Sequence, residues 1–272
     1  MKSLPFTLFF VASFWAATAS GQQELASLPE TVPMPDMRPL EAPRRTGDNR
    51  PRPPSAILIP KEELEAAAKL CKSVLEKDKM VADTAGPALW DNGCGAIGQI
   101  TVSAIKLANG KQVVLRPAAL IRCETAEAIA DWVREELVPA TEAYSGLARI
   151  DVAASYHCRP RNNIRGALMS EHGRANALDV RAIVMNDGRR FGVDLPETPI
   201  QLLNDLRRSS CARFTTVLGP GSDGYHENHF HVDLAKRRGG YRLCQWNVPL
   251  PPEPARHPAR AANPTTQQPA SP

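Results

Sequence analysis

The chain has 272 residues, with Lys+Arg 33 against Asp+Glu 29 and a formal net charge of +4. That excess is too small for the electrostatic footprint of a nucleic-acid-binding protein, so nucleic acid is excluded as a partner. Six cysteines are present, and none forms the C-x-x-C pair used by structural zinc knuckles and thioredoxin-like motifs.

In chain order, the first element is a leader. MKSLPFTLFFVASFWAATASG (1–21) sets one Lys before an apolar run, Leu4 to Ala17, and ends in small residues suited to cleavage after Ala19 or Gly21. The run is short against the roughly 20 apolar residues needed to span a bilayer. The expectation is therefore export to the periplasm or beyond, with no membrane span once the leader is removed. In an oxidising compartment, disulfides are the default reading of an even set of cysteines. The sequential pairing, Cys71 with Cys94, Cys123 with Cys158 and Cys211 with Cys244, is the starting guess among 15 possibilities.

Prolines mark the domain limits, since 10 of the 25 lie in residues 1–60 and 8 in residues 249–272. Segments 22–59 and 249–272 lack apolar periodicity and are read as Pro-rich, disordered linker and tail. Residues 60–248 then form one domain with a core of ordinary size. PKEELEAAAKLCKSVLEKDK, from Pro60, has acids at its start and helical spacing of Leu64, Ala68, Cys71 and Leu75. IGQITVSAIKL (97–107) and KQVVLRP (111–117) read as a hairpin across ANG. CETAEAIADWVREELVPATEAYSG (123–146) reads as a long helix disturbed near Pro139. RIDVAAS (149–155) is a strand, residues 156–176 are irregular, and NALDVRAIVM (176–185) is a strand. TPIQLLNDLRRSS (198–210) is a helix, and RFTTVLG (213–219) and HFHVDLA (229–235) are strands. Without regular strand–helix alternation, the expected fold class is α+β, a small antiparallel sheet packed with helices and stabilised by disulfides.

Two stretches concentrate chemistry. HENHFHVD (226–233) holds three of the six histidines; as a strand it turns His229, His231 and Asp233 to one side and Phe230 and Val232 to the other. SEHGRANALDV (170–180) places His172 in a loop seven positions before Asp179, which lies in the following strand. A hydrolytic zinc site needs three protein ligands and an open position, and His231 from a neighbouring strand supplies the third. GPGSDG (219–224) lacks the G-x-S-x-G elbow and its strand-to-helix context, so it reads as a mobile turn leading into the site. The basic run AKRRGGYR (235–242) reads as a solvated turn after a strand.

SEHGRANALD together with HENHFHVD resembles the zinc peptidases of the Hedgehog and D-Ala-D-Ala peptidase superfamily, with motif S-x-H-x-x-G-x-A-x-D followed by H-x-H. The surrounding SYHCRPRNN and VLGPGSDGYHENHFHVD resemble the bacterial extensin-like C-terminal family within it. The H-x-x-H-x-H spacing of His226, His229 and His231 is similar to that of penicillin-insensitive murein endopeptidases. The resemblance implies His172, Asp179 and His231 as ligands of Zn²⁺. It implies His229 as the acid–base group, assisted by His226, and Arg159 as the binder of a substrate carboxylate, with Arg161 a weaker candidate. Glu171 and Asp233 are acidic neighbours able to orient a ligand imidazole, and His157 reads as a polar loop residue beside a disulfide. Asn176 is read as standing at the motif's glycine, where Asn tolerates a left-handed turn.

The implied activity is a zinc metallopeptidase acting on peptidoglycan stem or cross-link peptides (a D,D- or L,D-endopeptidase or carboxypeptidase) in cell-wall remodelling. The alternative is a non-catalytic peptidoglycan-binding envelope protein with a retained metal site.

Overall fold

The computed structural model describes residues 54–248. The expected leader, most of the 22–59 linker and the tail from 249 lie outside the described residues.

Helix α1, Lys61–Glu76, begins directly after Pro60, with Glu62 and Glu63 in its first turn, where acids complement the helix dipole. It buries Cys71 and Val74. Strand β1, Met80–Ala85, follows at once; the two short strands β2, Ala88–Leu89, and β3, Gly95–Ala96, pair with each other. Ahead of α1, Ala56 already bridges Trp90 and Ile57 N–H donates to Leu89 O at 2.8 Å, so ordered structure starts before the expected boundary at 60.

The predicted hairpin is present as β4, Gln99–Lys106, and β5, Gln112–Arg122. β5 continues past Pro117 because the register slips there: Val102 faces Ala119 while Ala104 faces Val114. The proline thus sits in a bulge, where no ladder donor is required of it.

The long helix is broken earlier than its proline. Helix α2, Cys123–Trp132, passes into a π-helical turn, Val133–Leu137, then the short helix α3, Val138–Thr141, and a 3₁₀ turn, Glu142–Tyr144. Pro139 has no N–H to donate to the turn before it, and the widened turn absorbs that loss. Strand β6, Leu147–Ala154, and strand β7, Ala177–Met185, with the two-residue β8, Arg190–Phe191, precede helix α4, Ile200–Arg213. Strands β9, Thr216–Leu218, β10, Phe230–Asp233, and β11, Leu243–Gln245, complete the fold.

The sheet is larger than expected: nine strands in the order β1-β4-β5-β6-β7-β10-β9-β11, with β8 on β7. It is mostly antiparallel; β5–β6 and β9–β11 are the parallel pairs. The α+β class holds. β1 and β11 escape sequence reading because one is an edge strand with little apolar alternation, Met-Val-Ala-Asp-Thr-Ala, and the other is only three residues long.

Under the histidine strand lies an aromatic cluster. Phe230 stacks on Trp246 at 4.7 Å between ring centres, and Trp132 meets both Phe214 and Phe230 edge-on at 5.6 and 6.0 Å. Gly219 is required for this packing, since a Cβ there would fall 2.5 Å from the Trp246 ring.

The disulfides are Cys71–Cys123, Cys94–Cys158 and Cys211–Cys244. Only the last agrees with the sequential guess. Cys71 lies on the buried face of α1, which packs against the start of α2 where Cys123 stands, and Cys94, directly before β3, is bonded to Cys158 in the loop after β6. No helix among the described residues is long and apolar enough to cross a membrane, and structural disulfides are a feature of oxidising compartments.

Candidate metal centre

The site is built where β7 and β10 lie antiparallel. Asp179 is paired with His231, Leu178 with Val232 and Val180 with Phe230. Alternation sends Leu178, Val180, Phe230 and Val232 into the core and leaves Asp179 and His231 together on the opposite face. His172 arrives from the turn before β7. Ser170 Oγ accepts from His172 N–H at 3.3 Å, and Gly173 packs where a Cβ would strike the Met169 sulfur at 2.6 Å. The turn closes through a left-handed residue, but that residue is Ala175 (φ 51°), three positions after His172 and hence at the motif's glycine. Asn176 is not left-handed. It is a buried cross-link, accepting from Thr125 Oγ1 at 2.8 Å and donating to Glu171 Oε2 at 2.5 Å.

Three donor atoms converge. His172 Nε2 and His231 Nδ1 are 3.1 Å apart, and Asp179 Oδ1 lies 3.0 Å from the first and 2.9 Å from the second. All three side chains are buried, and the group could hold a metal ion. A zinc ion with ligand bonds of about 2.0–2.2 Å needs donor atoms only slightly farther apart than this.

The outer nitrogens fit the same purpose. His172 Nδ1–H donates to Ser155 O at 2.6 Å, and His231 Nε2–H donates to Asp233 Oδ2 at 2.9 Å. Each imidazole is thereby held from behind, so that once its inward nitrogen gives up a proton to make room for a metal, that nitrogen would present a lone pair. Asp233 is itself held by the Thr216 hydroxyl and by Ala235 N–H at 2.9 Å. Asp233 thus holds the back of the His231 imidazole, whereas Glu171 bonds Asn176 and Arg174.

Electrostatics follow from the packing. Burial would raise the Asp179 carboxyl, but its hydrogen bonds to His172 and His231 outweigh that and hold it well below the usual carboxylate range. Burial likewise disfavours a charged His231, yet Asp179 and Asp233 on either side push its imidazole up to about 9. Asp233 is held low: burial is opposed by the hydrogen bond from His231.

The other two histidines stand beside this triad. His229 Nε2 is 3.6 Å from Asp179 Oδ2, and its Nδ1 contacts Asn228 Oδ1 at 2.9 Å. Burial lowers its imidazole below the ordinary value, with Asp179 opposing and the neighbouring imidazoles adding to the effect. His226 is buried and hydrogen-bonds Asp223 Oδ1 through Nδ1 at 2.7 Å; its ring lies 5.1 Å from that of His229 and 5.8 Å from that of His231.

A cleft of about 220 Å³ opens over His172 and His231, with Arg159, Arg161, Asn162, His226 and Arg237 in its lining; Asp179 and His229 lie behind its walls rather than in them. His157 is exposed on the same loop, beside the Cys94–Cys158 bridge. The GPGSDG turn is tied down, with Gly221 N–H donating to the Glu227 carboxylate at 3.0 Å and Asp223 gripping His226.

The basic run is more than a solvated turn. Arg242 donates to the carbonyls of Cys211, Ala212 and Phe214 at the end of α4, a favourable place for a cation. Arg237 bonds Thr215 and Thr216 at the cleft. A basic loop sequence carries no periodicity that would distinguish these two from their exposed neighbours.

Residues 69–245 match the family model described as "Extensin-like protein C-terminus". No curated protein and no solved structure matched the chain. With the match spanning well over half of its length, the chain belongs to the extensin-like C-terminal family.

Proposed function

We propose that the protein is a zinc-dependent peptidase of the cell envelope that cleaves peptide bonds in peptidoglycan stem or cross-link peptides. The observation that carries this reading is the triangle of His172, Asp179 and His231 donors, with both imidazoles held from behind and two further imidazoles beside it. The motif spacing around these residues supports a place in the Hedgehog and D-Ala-D-Ala peptidase superfamily.

His172, Asp179 and His231 would hold the zinc, which when bound acts as a Lewis acid toward the scissile carbonyl and lowers the pKa of water. The chain's own residues supply the rest. His229, kept neutral by burial, accepts a proton and returns it to the leaving amine. His226, held by Asp223, assists as a donor at the cleft wall. Arg159 offers a guanidinium fork to a substrate carboxylate.

The decisive experiment is digestion of purified muropeptides by metal-replete and chelator-treated protein, read by mass spectrometry. Chelator-sensitive cleavage of cross-linked dimers or stem peptides is expected; no cleavage of either by replete protein removes the enzymatic reading.

One observation favours a second reading. His229 is not one of the three converging donors, but its Nε2 lies 3.6 Å from Asp179 Oδ2, so a shift of its ring on metal binding would make it a fourth ligand, and a closed four-ligand shell is the mark of a structural site. The protein would then bind peptidoglycan without cleaving it. X-ray absorption on the zinc-loaded chain, counting imidazole ligands, separates the two.

A further inference from the structure

Arg237 follows the histidine strand, and its guanidinium is anchored at the cleft. Nη1 donates to Thr215 O at 3.0 Å and Nη2 to Thr216 Oγ1 at 2.6 Å. Both partners are neutral, and among the described residues no carboxylate pairs with it. The acids that share the cleft lining are already engaged. Asp233 accepts from His231, Thr216 and Ala235, Asp223 from His226, Asn162 and Tyr225, and Glu171 from Arg174 and Asn176. A half-buried, positioned cation with three of its five N–H donors uncommitted is therefore left to meet whatever enters.

The sheet sets where it stands. Asp233 is paired with Thr216 and His231 with Leu218, while Leu243 and Gln245 of β11 lie beside Thr216 and Leu218. Paired residues share a face, so the floor of the cleft continues from the metal strand across β9 and β11. Neighbouring strands are about 4.8 Å apart, which places the Thr216 anchor of Arg237 roughly one strand spacing beyond Asp233. Arg159, also without a carboxylate partner among the described residues, belongs to the loop after β6, on the other side of the β7–β10 pair in sheet order.

We propose that Arg237 is a substrate-binding residue for a second acid group, so that the cleft selects peptides bearing a side-chain carboxylate in addition to the one met by Arg159. Within the peptidoglycan reading, on which this rests, a stem peptide containing a diaminodicarboxylic acid residue has that chemistry.

The test uses the zinc-loaded full chain and an uncleavable stem-peptide analogue, its scissile amide reduced, prepared with the side-chain carboxylate free or amidated. Calorimetry should show the free acid binding about 10- to 100-fold tighter than the amide, the effect of one charged hydrogen-bonded contact. Arg237→Gln should abolish that difference while zinc per chain stays unchanged, and Arg237→Lys should restore part of it. Equal binding of acid and amide by the unaltered chain overturns the proposal without any variant having to fold. So does an Arg237→Gln chain that loses zinc and weakens both analogues alike, because Arg237 would then act only through Thr216 on Asp233. Arg237-dependent binding in a chain that cleaves no natural stem peptide leaves the subsite standing and removes the peptidase reading alone.

Discussion

Asp179 and His231 face each other across two central strands, buried on both sides, each donor fixed by a partner on the far side of its ring or by the ladder itself. Arg159 and His226, which line the cleft, ride on loops: one tied by the Cys94–Cys158 bridge, the other by Asp223, which also holds Asn162 on the opposing loop. The floor is thus dictated by sheet register, which cannot shift by one residue without exposing Phe230 and burying His231 in the core. The rim is held by a few side-chain bonds, so it can change its preferences while the floor stays intact. On that comparison, floor substitutions should act on metal, and rim substitutions on substrate.

The sharpest break is His231→Ala, which removes a donor and strands Asp233. Zinc should no longer copurify and activity should fall to background, with Asp179 left buried beside a lone imidazole. His229→Ala removes no member of the triad. Its zinc content should be that of the parent while turnover drops by roughly 10²–10⁴-fold, as for loss of an acid–base group. Equal metal loss in the two variants would make His229 a ligand and support the closed, structural site. Asp233→Asn keeps the shape but weakens the grip on His231; zinc affinity, measured by chelator competition, should fall about 10- to 100-fold, and an unchanged affinity would show the outer carboxylate to be idle.

Protons test the same floor. Zinc must displace the proton that His231 carries up to about pH 9. Affinity should therefore fall as the pH drops below 9, by up to about tenfold per unit; a pH-independent affinity contradicts the buried imidazolium. In chelated protein the sign follows from the raised value. The stabilisation is fully present below the ordinary 6.5 and is lost as the pH rises through about 9, so melting temperature should decline there. The smallest effect on the site is expected at the rim. In the Cys94→Ser/Cys158→Ser variant, zinc content should be preserved and KM raised, alongside a stability loss of about 2–4 kcal/mol. Loss of zinc in that variant would mean the loop supports the floor after all.

What could be read from the sequence divides along similar lines. The convergence of His172, Asp179 and His231 into a group that could hold a metal was legible because two of them sit on strands, where a period of two assigns a face, and the third on a short turn of recognisable spacing. The hairpin and the break in the second helix were legible from ANG and Pro139. Contacts made by packing were not. The pairing of Cys71 with Cys123 depends on α1 lying against α2, which no local pattern states. Ala175 rather than Asn176 takes the left-handed position, although Asn is the better intrinsic candidate, because Asn176 is needed as a buried link between Thr125 and Glu171. Arg237 and Arg242 were indistinguishable from solvated charge until the strands they bond to were in place.

The bridges Cys71–Cys123 and Cys94–Cys158 interleave along the chain, and this has a consequence for biosynthesis. A polypeptide that emerges N-terminus first presents Cys94 while Cys71 is its only available mate, before either native partner has appeared. Correct oxidation therefore requires that the first two thiols ignore each other until the chain through Cys158 is out, or that a mixed disulfide with a catalyst be reshuffled once it is. The loop that carries Arg159 is sealed only at that stage, and the last bridge, Cys211–Cys244, waits for the final strand. Assembly of this protein is accordingly a problem of timing as much as of packing, and a cell that makes it needs, besides an oxidant, either delayed oxidation of the first two thiols or thiol exchange.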